Sequence, residues 1–174
     1  MFFAIPWIVT IVGFAIHAVL DRKPNRRTPY RLVELALVWL LAFGGAWSIF
    51  GALAHLGPNS TDVAKGIGYA PSMFQWEVGW GDIVIGVLGL GVIWKRDSWM
   101  TAAVVALTLG YGGDAIGHFM SWLGPSKNDA VNNVWAIPSD IGGPLVAIIL
   151  LVFYRRLGRT AVPAASEPAP QPAA

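Results

Sequence analysis

A few ionisable side chains interrupt long apolar runs in this sequence, and they are the groups able to do chemistry. Tyr111, Asp114, His118 and Ser121 follow one another at spacings of three, four and three. That spacing puts all four on one face of a helix. Asp82 lies in another apolar run, on the same side as Gly79, Gly86 and Gly89 at about 100° per residue. Glu77 and Asp140 stand at the edges of two such runs. Carboxylates beside an imidazole can exchange a proton, hold a divalent cation or pair with a cationic solute. Asp82, Asp114 and His118 are the candidate metal ligands, and Glu77, Asp82, Tyr111, Asp114, His118 and Asp140 together are the candidate ligand or proton site. The simplest assembly turns Asp82 toward His118, sets Asp114 one turn deeper, and lines an entrance with Glu77 and Asp140.

Three readings of these groups compete. Buried hydrogen bonds, such as Asp82 to His118 and Asp114 to Tyr111, could fix the packing of helices. A site for a cation, a proton or a small solute is the second reading, because ionisable groups inside a span are costly to keep there. A b-type haem between His55 and His118 is the third and the least favoured, since it needs both imidazoles at matched depth. Catalysis has little support. The chain has no Gly-x-Ser-x-Gly elbow, no His-Glu-x-x-His zinc helix and no cysteine. The cofactor is open between a divalent metal and none.

The elements that must position these groups are membrane helices. Of the 174 residues, 55% are hydrophobic and only 13% are charged, against about 25% charged in soluble domains. The mean hydropathy is +0.57. Five runs approach the roughly 20 apolar residues that cross a bilayer: 2–20, 32–57, 77–94, 99–123 and 138–154. None alternates with the two-residue period of a membrane strand. The expected fold is therefore an all-α polytopic transmembrane bundle of five spans, forming a single domain over 1–160. Residues 161–174 form a Pro/Ala-rich tail, expected to be disordered. The first run lacks a basic flank and a cleavage site, so it reads as a retained span and not a signal peptide.

Basic residues set the orientation. Arg22, Lys23, Arg26, Arg27 and Arg31 occupy the first loop, Lys95 and Arg96 the third, and Arg155, Arg156 and Arg159 follow the last span. The second and fourth loops hold only Lys65 and Lys127. This alternation puts the N-terminus outside and the C-terminus in the cytoplasm. Trp76, Trp80, Trp122 and Trp135 fall near the outer boundary, and Trp94 and Trp99 flank the inner turn. Asp82 and His118 then sit about 7 Å below the outer surface and Asp114 about 13 Å below it. The apparent pI of 9.2 reflects this orientation and not a nucleic-acid partner. His17 reads as an interfacial residue without a partner, and Glu34 as a side chain that snorkels to the cytoplasmic surface. In the second loop, Asp62 to Lys65 could form one helical turn capped by Ser60 or Thr61.

Glycine is concentrated in the last three runs, where small residues let helix backbones approach. The expectation is a compact contact among those three helices, with Gly113 and Gly117 at the small-xxx-small spacing. The same faces could carry a homo-oligomer or a partner in a membrane complex. Phe74-Gln75-Trp76-Glu77-Val78-Gly79, Gly113-Asp114-Ala115-Ile116-Gly117-His118 and Asp140-Ile141-Gly142-Gly143-Pro144 resemble motifs of small bacterial integral membrane proteins of unknown function. The resemblance covers about 74–151 and singles out Glu77, His118 and Asp140. It implies a bacterial inner-membrane protein and carries no catalytic role. The proteins compared have four spans, so a four-span core with one added helix is the other count. Together these expectations describe a membrane protein with a polar site in its outer half, or else a structural or accessory subunit.

Overall fold

The computed structural model describes residues 4–66, 69–123 and 130–161, with side chains over 4–66, 69–123 and 139–159. The described residues form six helices: α1 (Ala4–Leu20), α2 (Pro29–Leu56), α3 (Ser60–Gly66), α4 (Phe74–Gly91), α5 (Ser98–Leu123) and α6 (Ala130–Ala161). Of the expected tail, 162–174 lies outside the described residues.

Local chemistry sets the helix ends. Thr28 is extended and its hydroxyl accepts from the Arg31 backbone N–H at 3.3 Å, while Pro29 supplies a fixed φ in the first turn of α2. The Asn59 carbonyl accepts from the Asp62 and Val63 backbone N–H groups at 3.0 Å, so α3 is longer than the single turn expected from Asp62 to Lys65. The α4–α5 turn contains Asp97 at φ 55, a left-handed conformation that Asp tolerates. Its carboxylate accepts from the Tyr154 hydroxyl at 3.2 Å, tying the turn to α6.

α2 is the hub. It packs on α1, α4 and α6, while α4 packs on α5 and α5 on α6. Four helices thus close a ring, and α1 lies against its α2 side. The α2–α4 seam is the tightest part. A Cβ on Gly45 would stand 2.8 Å from the Gly86 carbonyl oxygen, 2.9 Å from the Leu90 nitrogen and 3.0 Å from the Gly89 Cα. A Cβ on Gly89 would stand 2.5 Å from the Leu41 carbonyl oxygen. The expected glycine contact among the last three runs holds only in part: a Cβ on Gly110 of α5 would stand 2.5 Å from Ile85 Cδ1 of α4, but the tightest glycine contact is with α2. Gly86 and Gly89 face α2, where the facing residue is another glycine and two backbones can touch. Gly112, Gly113, Gly117 and Gly143 have nothing within 4 Å of where a Cβ would be. Among the described residues they meet no other helix.

The two ends of the bundle differ. Near the α1–α2 loop the ring is filled by Leu37, Leu41, Val92, Met100, Val104 and Tyr154, all buried. Above this layer, toward α3, the ring is hollow. The loop end is also clamped by charge. Arg31 Nε donates to Asp21 Oδ2 at 2.7 Å, Arg31 Nη1 to Glu34 Oε2 at 2.6 Å, and Arg96 Nε to Glu34 Oε1 at 3.1 Å. This chain joins the first loop, α2 and the α4–α5 turn. Glu34 therefore bridges two arginines and does not snorkel. The Arg31 guanidinium holds the Asp21 carboxyl below its ordinary value. His17 has a partner after all: Trp39 Nε1 donates to its Nδ1 at 3.1 Å, and the Trp39 ring covers Gly13.

Three helices, Pro29–Leu56, Ser98–Leu123 and Ser139–Arg159, are long and apolar enough to cross a membrane. α1 is apolar but has 17 residues, and α4 carries Glu77 and Asp82. The outer faces are apolar, with Ile8, Ile11, Leu109, Ile116, Ile149 and Phe153 among many large exposed side chains. Such a perimeter is disfavoured in water and suits lipid. This is a multi-pass membrane protein with an all-α fold.

Candidate functional site

The hollow half of the ring contains a partly open cavity of about 710 Å³. α2, α4, α5 and α6 form its walls, and Pro6, Trp7 and Thr10 of α1 close one side. Trp7 reaches across to α6, where its ring carbon lies 3.4 Å from the position of a Cβ on Gly142. Val63 of α3 and Tyr69 line the end away from the filled layer.

Five of the six residues singled out in the sequence line this cavity: Asp82, Tyr111, Asp114, His118 and Asp140. Helical phase explains why. Asp82 sits about 12 Å along α4 from its start and Ser48 about 12 Å from the end of α2, so antiparallel packing brings them level. Ser48 Oγ lies 3.1 Å from Asp82 Oδ1 and 3.0 Å from the Asp82 carbonyl oxygen. The other carboxylate oxygen, Oδ2, lies 3.2 Å from where a Cβ on Gly51 would be, so glycine at 51 leaves it room. His118 Nε2 lies 3.7 Å from Asp140 Oδ2 across the α5–α6 boundary. Asp114 faces the cavity one turn below His118 and is the most open of the three aspartates.

Two expectations change. Asp82 meets Ser48 of α2, not His118, because α4 seats its glycine face on α2. His118 turns instead to Asp140. Glu77 is exposed and is not among the residues lining the cavity. α4 begins at Phe74, so Gln75 and not Glu77 points inward. Gln75 is buried, and its Oε1 lies 2.6 Å from His55 Nδ1. Sequence reasoning missed Gln75 and Ser48. Both stand at the helical phase of the inward glycines on their own helices, a signal that an uncharged side chain makes easy to pass over.

The polar groups do not converge on one point. Among the described residues, no three His, Asp or Glu side chains stand close enough to hold a metal ion. Asp82, Asp114 and His118 share the cavity but are not a ligand cluster of that kind. His55 and His118 both line it, each with a polar neighbour in Gln75 or Asp140. Among the described lining residues there are three carboxyl groups and no lysine or arginine. The remaining wall is largely apolar and aromatic, with Trp7, Trp47, Phe50, Tyr69 and Phe74.

The family is decided by the sequence match over nearly the whole of this bundle, from residue 1 to residue 160. The chain belongs to DUF6790, a family of unknown function. The match takes in every described helix apart from the last residue of α6, and therefore the whole cavity wall. No curated protein and no solved structure matches the chain.

Proposed function

We propose that this member of DUF6790 is a five-span protein of a bacterial inner membrane, with its N-terminus outside, whose outer-half cavity binds a small cation or cationic solute. The observation that carries the reading is one of charge. Asp82, Asp114 and Asp140 reach one cavity from three helices, and no lysine or arginine among the described residues accompanies them. Carboxyl groups held inside a membrane are neutralised by a proton or by a counter-charge, and an entering cation can displace the proton and supply that charge.

The orientation follows from where the basic residues collect. Arg22, Lys23, Arg26, Arg27, Lys95 and Arg96 lie at the loop end of the bundle. Arg155 joins them there, donating to the Thr101 hydroxyl near the start of α5. The positive-inside rule assigns that end to the cytoplasm. The hollow end then faces out, and α1 and α4 count as spans beside the three longer helices.

Binding is testable on the full chain in mild detergent. Trp7 and Trp47 line the cavity, so tryptophan fluorescence should respond to titration with Tl⁺, Zn²⁺ or tetramethylammonium. At least one of these should saturate the wild type. Asp114→Asn and Asp140→Asn should weaken it about tenfold, which corresponds to roughly 1.4 kcal/mol of lost ion pairing, while thermal midpoints stay close to wild type. If none binds, or if both variants lower the thermal midpoint without weakening cation binding by the folded protein, the reading fails and a scaffolding role for the polar groups takes its place.

A further inference from the structure

We infer that the occupant of the cavity is an amphiphilic organic cation: one ammonium or phosphonium centre on a bulky apolar body. This rests on the cation-binding reading above and names the class of cation. Volume is the first argument. About 710 Å³ lies within the range of sites for drug-sized ligands and is far more than a bare metal ion or a proton relay needs. Dispersal of the polar groups is the second. Among the described residues there is no three-ligand cluster for a metal ion, and the carboxylates stand on three different helices. They can surround a diffuse positive charge, which needs no tight coordination shell.

The rest of the wall matches an apolar body. Trp7, Trp47, Phe50, Tyr69 and Phe74 supply aromatic faces, which attract an organic cation electrostatically and cover its hydrocarbon. Gly44, Gly113, Gly117 and Gly143 line the same cavity, and among the described residues nothing lies within 4 Å of where their Cβ atoms would stand. These glycines are not spent on helix packing, unlike Gly45, Gly86 and Gly89. They leave stretches of wall bare, so that a ring or a branched chain can lie against backbone. Side chains at those positions would occupy the volume that the ligand needs.

The test uses the purified full chain in mild detergent and equilibrium dialysis with radiolabelled probes. Tetraphenylphosphonium is the bulky cation, triphenylphosphine oxide its neutral counterpart, and tetramethylammonium a cation with little apolar body. Tetraphenylphosphonium should bind saturably, at one per chain, and at least tenfold more tightly than either of the others. Gly113→Phe and Gly143→Leu fill the cavity from two different helices, so one informative variant remains if the other misfolds. A variant that keeps a wild-type thermal midpoint should lose tetraphenylphosphonium at least tenfold while still binding tetramethylammonium or Tl⁺. Equal binding of the phosphine oxide, or full binding to a folded glycine variant, overturns the inference. Binding of Tl⁺, Zn²⁺ or tetramethylammonium without tetraphenylphosphonium overturns it and leaves the broader cation reading intact. Absence of binding by every cation overturns both.

Discussion

Substitution of Gly45 by alanine, compared with the same change at Gly113, separates the two uses of glycine in this bundle. At Gly45 the added methyl would lie 2.8–3.0 Å from three backbone atoms of α4. None of these is the end of a flexible side chain, so one helix must move. Overpacking of this kind costs about 1–3 kcal/mol, and contact with backbone on all three points argues for the upper end. Replacing glycine by alanine inside a helix returns about 1 kcal/mol. The net loss is then about 2 kcal/mol, or a fall in thermal midpoint of about 4–8 °C for a chain of this size. At Gly113 nothing lies within 4 Å of the new methyl, so only the helix-propensity gain remains and the midpoint should hold or rise slightly. Both variants can be followed by the loss of monodisperse protein on heating in detergent. Coincident midpoints for Gly45→Ala and Gly113→Ala would refute the close α2–α4 seam and the assignment of open glycines to the cavity.

Further outcomes are expected at the charged end and in the topology. Asp21 is held below its ordinary carboxyl value by Arg31, so its contribution to stability is complete above about pH 4 and is lost as pH falls through the lowered value. Acid unfolding of the wild type should therefore steepen below about pH 4 relative to Asp21→Asn, and parallel curves would count against the pair. Glu34→Ala removes the carboxylate shared by Arg31 and the partly exposed Arg96 and should cost about 1–3 kcal/mol, more than Lys65→Ala in α3, when both are compared by thermal unfolding. Green fluorescent protein fused to the C-terminus should fluoresce and alkaline phosphatase fused there should stay inactive, since the basic loop end is assigned to the cytoplasm. The reverse pattern would invert the proposed orientation.

Much of this protein is written in its composition and spacing. Low charge and long apolar runs require helices in lipid, because backbone polar groups there must be satisfied within each segment. The spacing of Tyr111, Asp114 and His118 places them on one face whatever that face meets, since 3.6 residues per turn is a local property. Partners are a different matter. Asp82 was expected to meet His118 and instead meets Ser48, because which helix a glycine face seats against depends on the other helices available. Gly45 was the missing half of that seam. α4 begins at Phe74, which puts Gln75 on the helix close to the phase of Gly79 and Asp82, whereas Glu77 stands about 140° away from Asp82 and faces out. Glycine itself was ambiguous in the sequence. The same residue type permits contact at Gly45, Gly86 and Gly89 and keeps space open at Gly113, Gly117 and Gly143. Only the packed bundle tells these apart, because the absence of a side chain has no meaning until its neighbours are in place.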